Sequence, residues 1–142
     1  MEFQIVRVVT KPKHRAAGCV FYCKKTGRLL LAQRSGQVPF PHKWDQWGGS
    51  LEGNESPFAG ALRESQEESG YSKSMDFILA NIWESPVLKY YVYVSLVEEE
   101  FTPLLNFENE NYLWCLPDDL PKKLNLPLKE SIPGIIKVLG IL

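Results

Sequence analysis

The chain has 142 residues, of which 44% are hydrophobic, and its formal net charge is -1. This length and composition indicate a folded protein of one domain, residues 1–142, and exclude a disordered chain. A net charge near zero gives no general attraction to nucleic acid or to a membrane. The three cysteines lack CxxC spacing, and the N-terminus lacks the apolar run of a signal peptide. We therefore expect a cytoplasmic protein with reduced cysteines.

The charge is spread unevenly along this chain. Eight lysines or arginines and one acid lie before residue 35, whereas eight basic and sixteen acidic residues follow. The basic part is either solvated surface or a basic wall that faces an anionic ligand bound near the acidic half.

The first third of the chain is predicted to be β-structure. Candidate strands are FQIVRVV at 3–9, AAGCVFYC at 16–23 and RLLLAQR at 28–34. A hairpin turn, KKTG, joins the last two, and Gly27 there is free to take a positive φ. DQWGGSL at 45–51 predicts a short strand whose paired glycines indicate a close approach of another backbone segment.

A helix is predicted from about residue 57 to residue 69. Ser56 is a suitable N-cap, Pro57 suits the first helical position, and Gly70 suits the C′ position. Further strands are predicted at 76–83, 89–99 and 112–116, and a C-terminal helix at 128–142 that Pro133 breaks or restarts. The sum is an α/β chain with a central sheet and at least two helices.

Three glutamates, Glu64, Glu67 and Glu68, share one face of the predicted helix. Like charges at this spacing weaken a helix, and near its C-terminus they also oppose the helix dipole. The plain interpretation is a solvated acidic face. A hard divalent cation such as Mg²⁺ would instead turn the repulsion into binding. Gly60, one turn before Glu64, is predicted to leave room for a bulky group.

The stretch GSLEGNESPFAGALRESQEESGY resembles the Nudix box, the signature of the Nudix hydrolase superfamily, from Gly49 to Tyr71. The fixed positions of that box are all matched, by Gly49, Glu55, Arg63, Glu64, Glu67, Glu68 and Gly70. Two positions differ, because the family usually has an aliphatic residue at Ser65 and often one at Tyr71. Ser65 lies on the core side, which predicts looser packing of the helix. Weaker similarity extends over most of the chain from about Ala17 to Pro121.

The resemblance implies a Nudix-type α/β/α sandwich with a mixed central β-sheet. It also implies cleavage of a phosphoanhydride bond in a nucleoside diphosphate-linked substrate, with Mg²⁺ or possibly Mn²⁺ as cofactor. In this family Glu64, Glu67 and Glu68 would be metal ligands or the base that acts on water, and the carbonyl of Gly48 would be a further metal ligand. Glu55 and Arg63 would pair.

Some relatives use a glutamate in a loop beyond the box. Glu108, in NFENENYLW, is the leading candidate for that metal-site role, and the other candidates are Glu98, Glu99, Glu100 and Glu110. The run of three glutamates at 98–100 is otherwise a strand end in solvent.

Arg34 and Trp47 are the predicted substrate-binding residues. An arginine fork suits a phosphate, although Arg34 could equally form a surface salt bridge. Aromatic rings can stack on a nucleobase or belong to the core, and the candidates are Trp44, Trp47, Phe40 and Tyr112. Asn125 lies where some relatives read a guanine edge. His14 and His42 form no ligand spacing and are interpreted as surface residues.

Other functions stay open at this level. A Nudix-fold module that senses a nucleotide without cleaving it is the main alternative. Isopentenyl diphosphate isomerase shares the fold, but DQWGGS lacks its catalytic cysteine. A purely structural acidic helix fits the seven matched positions poorly. We expect a small nucleotide substrate, no membrane partner and no long nucleic acid. The apolar tail IIKVLGIL fits either a monomer or a homodimer.

Overall fold

The computed structural model describes residues 2–8 and 12–141. Its elements in chain order are β1 (His14–Cys23), β2 (Leu29–Arg34), β3 (Trp44–Asp45), β4 (Trp47–Ser50), α1 (Pro57–Ser69), β5 (Asp76–Glu84), β6 (Leu88–Val97), β7 (Asn109–Cys115) and α2 (Leu126–Ile141). The strands form one sheet in the order β3-β2-β1-β6-β5, with β4 also paired to β1 and β7 to β2. The pairing of β1 with β6 is parallel and the other pairings are antiparallel.

The central strand β1 separates two buried layers, because successive side chains of a strand point to opposite faces. Val20 packs in one layer with Leu128 and Ile135 of α2. Cys19 belongs to the other layer, whose rings of Phe77 and Tyr93 pack edge-to-face with Phe58 of α1. The two helices therefore cover opposite faces of a mixed sheet, and the predicted α/β/α sandwich is confirmed.

The bounds of α1 agree with the sequence prediction. The Oγ of Ser56 accepts a hydrogen bond from the backbone N–H of Ala59 at 3.1 Å, and Gly70 ends the helix with a φ of 73°. Ser65 is fully buried, and its hydroxyl donates to the carbonyl of Leu62 at 2.9 Å. A small polar side chain therefore occupies the core position where an aliphatic residue is usual.

The paired glycines of β4 lie where two strands approach closely, as predicted. A Cβ added to Gly18 of β1 would lie 2.6 Å from the carbonyl oxygen of Trp47, and one added to Gly48 would lie 2.6 Å from that of Ala17. Any side chain at either position would push β4 away from β1. This contact fixes the start of the Gly49–Tyr71 segment against the centre of the sheet.

Two predicted elements differ in the structure. Residues 3–8 form no strand and expose their apolar side chains, while Val9, the last residue of the predicted strand, lies outside the described residues. Within the described part no strand pairs with this segment, and an extended segment without a paired neighbour is not stable as a strand. The second difference is that α2 continues through Pro133, because buried side chains on both sides of the proline hold it to the sheet. Neither helix of the described residues has the length and apolar character needed to cross a membrane.

Much of the basic N-terminal charge is neutralised at the surface. Where the β1–β2 turn meets the end of β6, three cations pair with the consecutive acids, as Lys24–Glu98, Lys25–Glu99 and Arg28–Glu100. These contacts support the interpretation of this part as solvated surface. These ion pairs also engage three of the alternative candidates for the glutamate beyond the box, namely Glu98, Glu99 and Glu100.

Candidate active site

Arg63 clamps the loop before α1 onto the helix. Its Nε and Nη2 donate to the two carboxylate oxygens of Glu55, each at 2.9 Å, and Nη2 also donates to the carbonyl of Ser50 at 3.1 Å. This fork lowers the pKa of the Glu55 carboxyl to about 2 and raises the pKa of Arg63. The predicted pairing of Glu55 with Arg63 is confirmed.

The remaining terminal nitrogen of Arg63 gathers further carboxylates. Nη1 donates to Glu64 at 2.9 Å and to Glu67 at 3.2 Å. Beside this group, a Cβ on Gly60 would collide with the side chain of Leu51. The space predicted next to Gly60 is therefore filled by the preceding loop, and the prediction that it leaves room for a bulky group is wrong.

Glu68 is the most deeply buried acid of α1, with 3% of its surface exposed. Its Oε1 accepts a long hydrogen bond of 3.5 Å from Asn109, and no protein group in the described residues donates to Oε2. Burial raises the pKa of Glu68 well above its ordinary range, and contact with the Glu108 carboxyl and the nearby charge of Glu64 raise it further. A buried carboxylate with an unpaired oxygen among like charges is a position that a cation would stabilise.

The donor set suits a hard divalent cation, although it is not already arranged as a cage. In residues 2–8 and 12–141, no three carboxylate, imidazole or thiol side chains surround a common point suited to a metal ion. Arg63 engages Glu64 and Glu67, and the side chain of Glu67 is 56% exposed. Metal binding by Glu64, Glu67, Glu68, Glu108 and the Gly48 carbonyl stays a prediction. The structure does bring Glu64, Glu68 and Glu108 together, as the sequence indicated.

Two adjoining cavities open beside these acids. The carboxylate cavity, of about 410 Å³, is lined by Gly48, Gly49, Glu64, Glu108 and Arg34, among other residues. The aromatic cleft, of about 490 Å³, is lined among others by Phe40, Trp83, Tyr90, Asn125 and Leu126. The two share Arg34, Pro39, Gly48, Gly49 and Ser50, so they form one continuous groove. A ligand with an anionic end and an apolar end could occupy both.

Arg34 lies at the junction of the two cavities. Its Nε donates to the carbonyl of Pro39 at 2.6 Å, and its Nη1 is 3.6 Å from a carboxylate oxygen of Asp45. Asp45 is 4% exposed, and the same oxygen accepts a 2.9 Å hydrogen bond from the amide of Asn125. Burial raises the pKa of Asp45. Substrate contact by Arg34 stays a prediction.

Asp45 was not identified from the sequence. Its signal was an acid inside the otherwise aromatic and amide stretch KWDQW, between two strand-forming segments. His14 was interpreted as a plain surface residue, and it is exposed. Its Nε2 nevertheless lies 2.7 Å from the Oγ of Ser50, and both residues line the aromatic cleft.

The prediction that Trp47 binds substrate is wrong. Its side chain is 0% exposed, its Nε1 donates to the carbonyl of Leu30 at 3.1 Å, and its ring packs edge-to-face with Phe21. Trp44 and Tyr112 also pack against the two core layers. Of the four aromatic residues considered, Phe40 is the one that lines the cleft.

A comparison with protein families supports what the fold and the groove indicate. The NUDIX domain model matches residues 12–135 of this chain. The chain therefore belongs to the Nudix family of hydrolases.

Curated relatives of known name are similar over parts of their length. A Bos taurus protein named diphosphoinositol polyphosphate phosphohydrolase 3-beta is 34% identical over 61% of this chain and 52% of its own length. An 8-oxo-dGTP diphosphatase of Proteus vulgaris is 42% identical over 42% of this chain and 52% of its own length. The chain thus spans about half the length of these two relatives. An asymmetrical bis(5'-nucleosyl)-tetraphosphatase of Caenorhabditis elegans is 26% identical over 76% of this chain and 83% of its own.

Solved structures share the fold at low sequence identity. A Nudix hydrolase from M. Smegmatis, RenU, superposes with a TM-score of 0.75 at 18% identity, covering 92% of this chain and 88% of that one. A MutT protein from Methanosarcina mazei Go1 gives 0.74 at 22% identity, covering 92% and 97%. These similarities establish the fold of the chain, whereas its substrate is inferred from the residues that line the groove.

Proposed function

We propose that this protein is a Mg²⁺-dependent hydrolase that cleaves a phosphoanhydride bond in a nucleoside diphosphate-linked substrate, with Mn²⁺ as a possible substitute. The observation that carries the proposal is the buried oxygen of Glu68, next to Glu64 and Glu108, to which no group of the described residues donates a hydrogen bond. These acids lie beside a groove that continues into an aromatic cleft. The groove therefore offers one end for a metal-bound phosphate chain and an apolar end for a base, as a nucleotide requires.

Glu64, Glu67, Glu68, Glu108 and the Gly48 carbonyl would hold the divalent cation. When bound, such a cation neutralises phosphate charge and lowers the pKa of a bound water. One of the glutamates would accept the proton of the attacking water, and the residue that does so is open among those four. The bond between phosphorus and the bridging oxygen breaks, the water oxygen bonds to phosphorus, and the two products each carry a phosphate terminus.

The other residues of the groove position the substrate. Arg34 offers its guanidinium at the junction of the cavities, where the phosphate chain of a bound nucleotide would pass. Arg63 is already engaged by Glu55 and therefore holds the loop and the helix in register. The aromatic cleft would take the organic group of the substrate.

The character of the cleft favours a nucleotide over an inositol polyphosphate. The names of the relatives include both substrate classes. A polyphosphorylated polyol needs many cations around it, whereas the basic side chains that line this cleft are those of His14, Arg34 and Lys43. Trp83 and Leu126 contribute apolar surface that suits a planar base.

Chromatographic detection of the cleavage products from a substrate panel tests this function. The panel contains nucleoside triphosphates, dinucleoside polyphosphates, nucleotide sugars, ADP-ribose, capped RNA and a diphosphoinositol polyphosphate, each with Mg²⁺ and with Mn²⁺. We expect turnover of a small nucleotide, and loss of at least about 100-fold in kcat for Glu68→Gln. Glu99→Gln, an exposed acid paired with Lys25 away from the groove, is the matched control. Unchanged turnover in Glu68→Gln would contradict the assigned role.

A nucleotide-sensing module is the second candidate. It is favoured by one observation, namely that Arg63 engages Glu64 and Glu67, while the described residues form no ready-made cation cage. Calorimetric binding of a nucleotide without any turnover in Mg²⁺ or Mn²⁺ would support this function. No cysteine lines either cavity in the described residues, so an isomerase that needs a cysteine at the box is disfavoured.

A further inference from the structure

The loop of residues 35–43, between β2 and β3, contains an unusual backbone. Phe40 has a φ of 56° and His42 a φ of 63°, and they are the non-glycine residues with positive φ in the described chain. An L-residue with a side chain rarely takes this conformation because of steric strain. Such strain persists where the surroundings fix the backbone, and it is concentrated at functional sites.

Several contacts impose the conformation of this loop. The backbone N–H of Arg34 donates to the carbonyl of Lys43 at 2.9 Å, and that of His42 donates to the carbonyl of Arg34 at 2.8 Å. The Nε of Arg34 donates to the carbonyl of Pro39. In addition, Nδ1 of His42 lies 2.6 Å from a carboxylate oxygen of Glu110 on β7. The loop is therefore tied at both ends to the arginine at the junction of the two cavities.

The strained backbone at Phe40 does not bury the phenylalanine side chain in the core. The residue is 58% exposed, although its ring is large and apolar. It lines the aromatic cleft, and Nζ of Lys43 lies 5.7 Å from the ring centroid. A ring that is exposed, lines a cleft and is held by a strained backbone contributes little to folding. We therefore attribute its position to ligand binding.

We propose that Phe40 is a specificity-determining residue that stacks on the planar heterocycle of the substrate. This inference rests on the proposed function, because it assigns the organic group of the substrate to the aromatic cleft. Lys43 covers part of one face of the ring, and the exposed remainder is available to a nucleobase. Trp83 and Leu126 supply further apolar lining of the same cleft.

Binding measurements separate this role from catalysis. The ligands are the α,β-methylene diphosphates of adenosine, guanosine, cytidine and uridine, which cannot be hydrolysed, and methylenediphosphonate, which has no base. Calorimetry with Mg²⁺ gives the Kd of each ligand for the wild type. We expect at least one nucleoside analogue to bind more tightly than methylenediphosphonate.

Substitutions at Phe40 then identify the source of that advantage. Phe40→Gly removes the ring and relieves the strain, because glycine accepts a positive φ. We expect it to weaken the preferred nucleoside analogue roughly five- to a hundredfold and to leave methylenediphosphonate unchanged. The thermal midpoint should not fall. Phe40→Trp should restore nucleoside binding, and Phe3→Ala, an exposed phenylalanine that lines neither cavity, should change neither Kd.

Two results would overturn the inference. One is a wild type that binds no nucleoside analogue better than methylenediphosphonate. The other is a Phe40→Gly variant that weakens both ligand types equally, which would assign the effect to the loop and to Arg34. Because the ligands are not cleaved, failure here is distinct from failure of the proposed function, which would show as no cleavage of any panel substrate by the wild type.

Discussion

Replacing Glu68 by glutamine should stabilise the metal-free protein even as it removes activity. The wild-type carboxyl is buried, its Oε2 has no donor among the described residues, and it faces the carboxyls of Glu108 and Glu64. Glutamine has the same shape, so the substitution opens no cavity. Its amide carries no charge and can donate to the Glu108 carboxylate. The proposed role of Glu68 as a metal ligand would therefore carry a cost in stability when the cation is absent.

The size and the pH dependence of this effect follow from burial. The pKa of Glu68 in the folded chain lies above the value of about 4.3 that a glutamate has in an unfolded chain. Protonated Glu68 therefore favours folding at low pH, and this stability is lost as pH rises through the folded pKa. An unsatisfied buried polar group costs about 1–3 kcal/mol, which corresponds to a rise of roughly 2–15 °C in Tm for a chain of this size.

Thermal and urea unfolding in EDTA at pH 5 and pH 8 measure the prediction. We expect Glu68→Gln to gain stability at pH 8 and to gain much less at pH 5. Glu99→Gln, which alters an exposed ion pair, should show no such difference between the two pH values. A Glu68→Gln variant that is less stable than the wild type at pH 8 would refute the reasoning, because it would mean that the carboxylate has a stabilising partner.

Three further substitutions test other contacts. Because the Arg63 fork lowers the pKa of Glu55 to about 2, its stabilising effect is complete above about pH 4.3 and lost as pH falls through 2, so Glu55→Gln should destabilise at pH 7 and less at pH 2 in urea unfolding. Gly49→Ala would place a Cβ 2.7 Å from the carboxylate of Glu64, so kcat should fall at least about tenfold while circular dichroism stays unchanged. Trp47→Phe should cost about 1–3 kcal/mol in thermal unfolding without raising KM, since the buried indole donates only to the backbone.

The sequence predicted those parts of the site that depend on residues close to one another in the chain. The α1 helix begins and ends where Ser56, Pro57 and Gly70 indicate, since capping and proline chemistry act within a few residues. The pairing of Glu55 with Arg63 followed from the family resemblance and is confirmed. Glu64 and Glu68 lie on neighbouring turns, so their association needs only the period of the helix.

Parts that depend on long-range packing could not be predicted in this way. Trp47 has an aromatic ring of the kind that stacks on a base, but the pairing register between β4 and β1 buries this ring. Asp45 contacts Arg34 and also Asn125, which lies 80 residues further along the chain, and no local pattern reports such a contact. The N-terminal segment has strand-forming residues, but a strand also requires a paired neighbour, and no strand of the described chain pairs with this segment.

Glu67 can bind a cation only if its carboxylate leaves Arg63, so the strength of the contact between these two residues matters. It spans one helical turn, measures 3.2 Å and involves a carboxylate that is 56% exposed, so it contributes less than about 0.5 kcal/mol. Releasing Glu67 from Arg63 is therefore a small cost compared with about 1.4 kcal/mol gained from Mg²⁺ at ten times its Kd. Glu67→Gln should leave the stability in EDTA nearly unchanged and should reduce the rise in Tm on adding Mg²⁺, whereas Glu98→Gln at the distant ion pair should not. If Glu67→Gln keeps the full rise, Glu67 stays with Arg63 and is not a ligand.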